Sequence, residues 1–191
     1  MKPRNTVCVY CASSGDVAAE YVAEARRLGS LLASKGCTMV CGAGRTGLMG
    51  ALADAGMGAG GRVVGVIPQF MVDRGWCHSG LSETIVTADM HERKQTMARL
   101  ADAAIALPGG VGTLEELLEI ITWKQLGLFD GPIIIVNTSG YYNPLIEMLG
   151  RAAAERFMKR QHAMLWAVAA DASEAIELLD SMPDITAEQK Y

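Results

Sequence analysis

The chain is best interpreted from one stretch, Leu107-Pro108-Gly109-Gly110-Val111-Gly112-Thr113-Leu114-Glu115-Glu116. It follows an apolar run, residues 103–107, that has the length and composition of a buried strand. The glycines allow a tight turn and a close approach of the backbone to a ligand. Beyond them, apolar residues recur at the spacing of a helix with one buried face, namely Leu114, Leu117, Leu118 and Ile121. The stretch therefore predicts a strand, a glycine turn and a helix.

This turn is suited to binding a phosphate group. The first N–H groups of a helix have no partner within the helix, and the helix dipole places positive potential there. Thr113 adds a hydroxyl. A plain tight loop is the alternative, but the composition favours a phosphate site by roughly three to one. On a helical wheel Glu116 lies away from the apolar stripe, so we predict that it is not a core position and lies near the anion.

Apolar strands alternate with helices along the whole chain. Strands are predicted at 6–11, 38–41, 62–67, 83–86, 103–107, 132–137 and 165–169, and the segment Gln69–Gly80 is predicted to be a loop. This alternation is typical of a mostly parallel sheet with helices on both faces. We predict a single Rossmann-like, doubly wound α/β domain over residues 1–191. Ligands of such folds bind at the carboxyl ends of the strands.

Composition narrows the function classes. The 191 residues are 50% hydrophobic, and the formal net charge is −4. A negative chain without a basic block is not expected to bind nucleic acid, so phosphate binding must be local. No run approaches the roughly 18 apolar residues of a membrane helix, and Met1–Arg4 does not begin a signal peptide. We therefore expect no membrane association and a cytoplasmic location.

Five cysteines are more typical of reduced thiols than of a disulfide framework. Cys8 and Cys11 have the spacing of a metal-binding pair. They are predicted to lie in a strand, however, where residues i and i+3 point to opposite faces. We expect no metal site.

Four motifs together resemble the LONELY GUY (LOG) family of cytokinin riboside 5′-monophosphate phosphoribohydrolases. They are Gly42–Gly50, Met90-His91-Glu92-Arg93-Lys94, Pro108–Glu116 and Thr122-Trp123-Lys124-Gln125-Leu126-Gly127. They occur in the family's order and span roughly residues 6 to 135. The resemblance implies an enzyme without a cofactor that cleaves a nucleoside 5′-monophosphate into a free base and ribose 5-phosphate.

The resemblance also implies roles for individual residues. Arg93 and Glu116 match the family's functional arginine and glutamate, and we predict that they are catalytic. A fixed carboxylate near a helix N-terminus should stay ionised and stabilise positive charge on the ribose. The predicted binding residues are Ser13, Ser14, Arg93, Lys94, Gly109, Gly110, Val111, Gly112, Thr113, Leu114, Glu115, Glu116 and Thr122. For Lys94, Ser13 and Ser14, a surface role is about as well supported as a site role.

One departure concerns the base. Relatives often have a glutamate where this chain has Gly75, so the residue that recognises the base is not determined by the motifs. Asp73 or Glu83 could take the place of that glutamate. The natural base could be adenine, an isoprenylated adenine or a pyrimidine.

Three other functions remain as alternatives. The first is a nucleotide or molybdenum-cofactor carrier of the same fold, which the Arg93/Glu116 pair disfavours. The second is a pyridoxal-dependent lysine decarboxylase, which needs a lysine that forms a Schiff base with the cofactor; nothing in this sequence indicates such a lysine. A dinucleotide oxidoreductase would need an acidic residue about 20 residues after the Gly42–Gly47 turn.

An apolar cluster after the motif helix predicts a homodimer. It comprises Trp123, Leu126, Leu128 and Phe129, with Met90 and Met97 on the neighbouring helix. Ordinary core residues are the alternative interpretation.

Overall fold

A computed structural model describes residues 4–183 of the chain. Its strands are β1 (Thr6–Tyr10), β2 (Thr38–Cys41), β3 (Val63–Pro68), β4 (Glu83–Thr87), β5 (Ala103–Ala106), β6 (Ile133–Val136) and β7 (Ala167–Ala169). Its helices are α1 (Ala19–Ser34), α2 (Gly47–Gly58), α3 (Gln69–Asp73), α4 (Met90–Leu100), α5 (Val111–Gln125), α6 (Asn143–Ala154) and α7 (Ala172–Ser181).

The strands form one sheet in the order β4-β3-β2-β1-β5-β6-β7, and every pair of neighbours is parallel. The chain first builds outward from β1 to β4, then crosses over through α4 to place β5 on the other side of β1. The order therefore reverses between β1 and β5. The predicted Rossmann-like, doubly wound α/β fold is confirmed, and this reversal is the point where such folds bind ligands.

Two apolar layers cover the two faces of the sheet. One contains buried residues of α1, α2 and α7, and the other contains those of α4 and α5. Residues alternate between the layers along β1 and at Cys11 directly after it, so that Cys11 lies in the first layer and Cys8 in the second, as their spacing predicted. The five cysteines are free thiols.

Two helices begin with the same side-chain arrangement. At α7, the Asp171 carboxylate accepts hydrogen bonds from the N–H groups of Ser173 (2.8 Å) and Glu174 (3.0 Å). At α4, Asp89 accepts from the Glu92 N–H at 2.9 Å. Such caps satisfy N–H groups that the helix itself leaves unpaired. They fix where α4, which carries Arg93, begins.

The inward face of α5 differs from the predicted stripe. Leu118 is exposed and Leu114 is half-buried, whereas Ile120, Thr113 and Glu116 are buried. The prediction that Glu116 is not a core position is therefore wrong. The helical wheel failed because it takes account only of apolar residues, and α5 also turns polar residues inward toward α4 and the sheet edge.

Two further predictions need correction. The segment Gln69–Gly80 is not all loop, because it begins with α3, in which Gln69 Nε2 donates to Asp73 Oδ1 at 2.8 Å. Phe129 and Met97 are core residues rather than surface residues. The apolar patch after α5 is therefore smaller than predicted, and it consists mainly of the exposed Leu126 and Leu128.

Residues 4–183 contain neither a membrane-spanning helix nor a metal-binding cluster. No helix there has both the length and the apolar character needed to cross a bilayer. No group of three or more His, Cys, Asp or Glu side chains is arranged to hold a metal ion.

Candidate active site

A cavity of about 680 Å³ opens over the carboxyl ends of β1, β2, β3 and β5. Its walls are the segments that directly follow these strands, together with side chains from α4 and α5. Small-molecule sites in proteins typically have volumes of ~300–1,000 Å³. The cavity therefore has the size and position expected of a ligand site in this fold.

The glycine turn after β5 forms one wall of the cavity. Gly110 precedes α5 and no side chain caps this helix, so its first N–H groups are available to a ligand. Gly109 is needed for close packing, because a Cβ there would lie 2.1 Å from the Thr113 hydroxyl oxygen. The hydroxyls of Tyr141 and Tyr142 donate to the carbonyls of Gly109 and Leu107, both at 2.7 Å. These two hydrogen bonds fix the backbone at the start of the glycine turn.

A second helix N-terminus faces the same cavity. The Thr46 hydroxyl, just before α2, donates to the Ser13 carbonyl at 2.7 Å. Gly47 has a φ of 65°, and a Cβ there would lie 2.4 Å from the Ser14 carbonyl oxygen. The segments after β1 and β2 can thus meet only because residue 47 is glycine. This contact places the Ser13 and Ser14 segment against the start of α2.

Arg93 is held at the edge of the sheet by backbone oxygens. Its Nε donates to the Val66 carbonyl at 3.0 Å, and its Nη2 donates to the Gly42 carbonyl at 3.2 Å. Its Nη1 lies 3.3 Å from Glu116 Oε1. Because three groups on three elements fix the guanidinium, its orientation does not depend on a ligand. The planar fork of arginine suits this role, which a lysine ammonium could not fill.

Glu116 is buried beside this arginine, and only 7% of each residue is exposed. Burial raises the pKa of the Glu116 carboxyl above its usual value of 4.5, and the nearby Arg93 opposes this rise only in part. The expectation that a helix N-terminus would keep the carboxyl readily ionised thus neglected its desolvation. Both side chains line the cavity, so a ligand can still contact them.

The cavity brings together only part of the predicted binding set. Its predicted members are Ser13, Ser14, Arg93, Gly110, Gly112, Thr113 and Glu116. Lys94 points elsewhere, into ion pairs with Glu115 and with Glu119 (3.1 Å). Thr122 is exposed and its hydroxyl donates to the Leu118 carbonyl at 2.8 Å. Gly109, Val111 and Leu114 are also outside the lining.

Other lining residues were not predicted individually. They are Cys11, Ala12, Gly42, Gly44, Arg45, Thr46, Met49, Ile67, Met71, Trp76 and Met90. Most directly follow a strand, and that position is the signal that could have identified them. The Cys11 thiol is an unsuitable nucleophile, because burial raises its pKa well above the usual value.

A first prediction concerns pH. A raised Glu116 pKa means that the carboxyl protonates at a higher pH than an exposed glutamate, and a protonated carboxyl cannot stabilise positive charge. We therefore expect activity at this site to fall on the acid side with an inflection above pH 4.5. The measurement is kcat/KM across the acid range.

A phosphorylated ligand itself titrates near pH ~6, so the inflection must be assigned to the protein. Lys94 lowers the Glu116 pKa through its charge. Lys94→Met should therefore move the inflection to higher pH, whereas a ligand titration would not move. An inflection that stays in place would contradict the assignment to Glu116.

A second prediction concerns Gly42. A Cβ on residue 42 would lie 1.9 Å from Arg93 Nη2, so Gly42→Ala must displace the guanidinium. The clash involves the end of a flexible side chain, so the fold should survive. Misplacement by about 1 Å can cost on the order of 10²-fold in rate, and a loss of that size in kcat is expected.

Gly58→Ala is the matched control, since a Cβ there meets no atom within 4 Å. Its activity should equal that of the unsubstituted protein. Equal activities of both alanine variants would show that Arg93 does not need its observed position.

The fold and the site define a class of protein. It is a doubly wound α/β protein whose cavity combines two helix N-termini with a buried arginine–glutamate pair at the reversal of strand order.

Sequence comparisons identify the family. Residues 49–179 match a family model described as "Possible lysine decarboxylase". A rice protein (Oryza sativa subsp. japonica) described as a probable cytokinin riboside 5′-monophosphate phosphoribohydrolase is 43% identical over 94% of this chain and 79% of its own. An Arabidopsis thaliana cytokinin riboside 5′-monophosphate phosphoribohydrolase is 42% identical over 92% of this chain and 77% of its own. The chain belongs to the LONELY GUY family, as its motifs indicated.

A solved structure supports the fold. The molybdenum cofactor carrier protein of Chlamydomonas reinhardtii superposes with a TM-score of 0.71, over 93% of this chain and 96% of its own. Its sequence identity is 22%, so the likeness extends to the fold alone.

Proposed function

We propose that this protein hydrolyses the N-glycosidic bond of a nucleoside 5′-monophosphate, either a cytokinin riboside 5′-monophosphate or AMP, and releases the free base and ribose 5-phosphate. The observation that carries the proposal is the Arg93–Glu116 pair, 3.3 Å apart in the wall of a cavity with two helix N-termini. Relatives at 42–43% identity bear the name of this activity.

The chemistry follows from where charge develops. As the bond between C1′ and the base nitrogen breaks, its electron pair leaves with the base and C1′ becomes positive. The Glu116 carboxylate stabilises this cation, and water then adds to C1′, leaving its hydroxyl on the carbon while its other proton balances the proton gained by the departing base. The helix N-termini hold the phosphate at a distance from the reacting carbon. Arg93 orients Glu116 and presents N–H donors to the ribose or the departing base.

The pair also separates this proposal from its alternatives. A carrier that only binds a nucleotide or cofactor gains nothing from a buried carboxylate beside the ligand's sugar, since burying a charge is costly. A decarboxylase using a Schiff base needs a lysine in the site. Among residues 4–183, no lysine lines the cavity, and Lys124 is buried elsewhere with its ammonium 2.6 Å from the Gly131 carbonyl.

The direct test is to incubate the protein with a panel of nucleoside 5′-monophosphates and to detect free bases by chromatography. Release of a base together with ribose 5-phosphate supports the proposal. Tight nucleotide binding without release would instead favour the carrier, and carbon dioxide released from lysine would favour the decarboxylase.

We further propose that the protein is cytoplasmic and forms a homodimer through α5 and the segment that follows it. The free thiols fit a reducing compartment. Leu126 and Leu128 are 52% and 70% exposed, and Trp123 beside them is half-buried. A two-fold interface would bury this same patch on both subunits.

The third prediction tests this interface. At micromolar concentration, sedimentation equilibrium should give twice the single-chain mass of 20.3 kDa. Leu128→Asp should shift the protein toward monomer, because the substitution places a charge inside an apolar contact. Met148→Asp, at another exposed apolar position on α6, is the control and should remain dimeric. A single-chain mass for the unsubstituted protein would contradict the interface.

A further inference from the structure

The two ends of the cavity differ in chemistry. The glycine turn follows β5, whereas Ile67, Met71 and Trp76 lie at the end of β3 or beyond it. In the sheet, β1 and β2 separate β5 from β3, so these walls are three strand spacings apart, or about 14 Å. Arg93 bonds the carbonyls of Gly42 and Val66 and contacts Glu116 of α5, so the Arg93–Glu116 pair lies between the two walls. Phosphate, sugar and base can therefore occupy successive parts of the cavity, with the base at the apolar end.

Trp76 forms the outer wall of this apolar end. Its backbone is fixed, because its N–H donates to the Met71 carbonyl and its carbonyl accepts from the Arg45 N–H, both at 3.1 Å. The next residue, Cys77, forms a β-bridge with Gly44. The side chain is nevertheless 46% exposed and lines the cavity. A rigidly carried, half-exposed indole beside a cavity offers a flat surface for an aromatic ligand.

Arg74 supports the indole. Its guanidinium carbon lies 5.1 Å from the Trp76 ring centroid and 5.5 Å from the Phe70 ring centroid. A cation over an aromatic face is attracted by the electrons of the ring, which favours one ring orientation. Arg74 itself does not line the cavity. The indole can therefore present its remaining surface to a ligand.

Apart from the exposed Arg45, the described residues at the apolar end offer no side chain that distinguishes an amino group from a carbonyl on the base. Among residues 4–183, the cavity lining contains no Asn, Gln or Asp side chain. Asp73 accepts a hydrogen bond from Gln69, and Glu83 forms an ion pair with Arg62. Neither carboxylate therefore substitutes for the glutamate that relatives often have at the position of Gly75. Strong rejection of a base that differs in one polar group requires a matched, buried hydrogen-bonding partner.

We propose that Trp76 is the base-stacking residue of this site and that it selects the base by ring area rather than by hydrogen bonding. Purine nucleotides then bind more tightly than pyrimidine nucleotides, and 6-amino and 6-oxo purines bind alike. The proposal rests on the proposed function, since it assigns the base end of the same nucleotide site.

The experiment measures binding rather than turnover. In a Glu116→Gln background, in which cleavage is expected to be slowed by about 10²-fold or more, calorimetric titration compares AMP, IMP, UMP and ribose 5-phosphate with and without Trp76→Ala. Stacking on an aromatic ring is lost on substitution by alanine, so the Kd of AMP and that of IMP should each rise about 10-fold or more. Ribose 5-phosphate has no base, and its Kd should be unchanged. Trp76→Phe should restore most of the affinity.

AMP and IMP should have similar Kd values, and UMP should bind more weakly than either. Phe157→Ala, which removes an exposed aromatic ring outside the cavity, should change none of them. An unchanged AMP affinity in Trp76→Ala, an equal loss for ribose 5-phosphate, or strong preference for AMP over IMP would overturn the stacking proposal and leave the hydrolase proposal standing. Failure of both AMP and ribose 5-phosphate to bind would overturn both.

Discussion

Glu116→Gln is expected to lower kcat by about 10²-fold or more while the protein stays folded, because glutamine keeps the shape of the side chain but not the charge that stabilises the ribose cation. The substitution also removes a buried carboxylate whose pKa is raised by burial, so it should not destabilise the fold through desolvation. Turnover of AMP, followed by chromatography of the released base, measures the loss. Thermal unfolding shows that the variant is intact.

Arg93→Ala should lose activity to a similar extent, but for two reasons. It removes the donor that orients Glu116, and it leaves a buried carboxylate unpaired, which typically costs about 3–5 kcal/mol of stability. Arg93→Lys separates these effects, because it keeps the charge. A lysine cannot hold the Val66 and Gly42 carbonyls and Glu116 together, so activity should remain low while stability recovers.

Two control variants carry the same types of substitution, Glu→Gln and Arg→Ala, at exposed positions. Glu147→Gln changes an exposed carboxylate on α6, and Arg99→Ala removes an exposed arginine from α4. Both should retain the turnover of the unsubstituted protein. A Glu116→Gln or Arg93→Lys variant with near-normal turnover would mean that the pair has a structural role only.

The fold could be predicted because its signals are local. Each buried strand is a short apolar run, and each turn after a strand contains glycine or a polar residue. The run 103–107 with its glycine turn was sufficient to place β5, α5 and the ligand edge between them. Parallel pairing and the reversal of strand order then follow from alternation of strands and helices.

The inner geometry of the site could not be predicted in the same way, because it depends on packing between distant segments. The burial of Glu116 depends on its contact with Arg93 of α4, which no helical wheel represents. Lys94 has the same sequence context as Arg93, yet its position on α4 directs it to Glu115 and Glu119 rather than to the cavity. Trp76 lies in an aperiodic segment, and only its bonds to Met71 and Arg45 place it at the cavity.

The second large effect concerns the 5′-phosphate. The N–H groups at the start of α5 are positioned to bind an anion, and no side chain caps α5 or α2, although the Met49 N–H of α2 donates to the Ala12 carbonyl at 3.1 Å. Hydrogen bonds to a charged group contribute about 1.5–3 kcal/mol each, so losing two would lower kcat/KM by on the order of 10²–10⁴-fold. Adenosine should therefore be a far poorer substrate than AMP. Comparable turnover of the two would show that the glycine turn contributes nothing to catalysis.

A charge placed in the turn tests the same point within the protein. Gly112 lines the cavity and a Cβ there meets no atom within 4 Å, so side chains can be added without a clash. Gly112→Asp puts a carboxylate where the phosphate should bind, and an acidic residue in the first helical turn favours the helix itself. Gly112→Asn has the same size without the charge. We expect the aspartate variant to bind AMP at least about 10-fold more weakly than the asparagine variant, because like charges at close range repel. The two variants should act alike on adenosine, which has no phosphate; an equal gap for adenosine would place the anion site elsewhere.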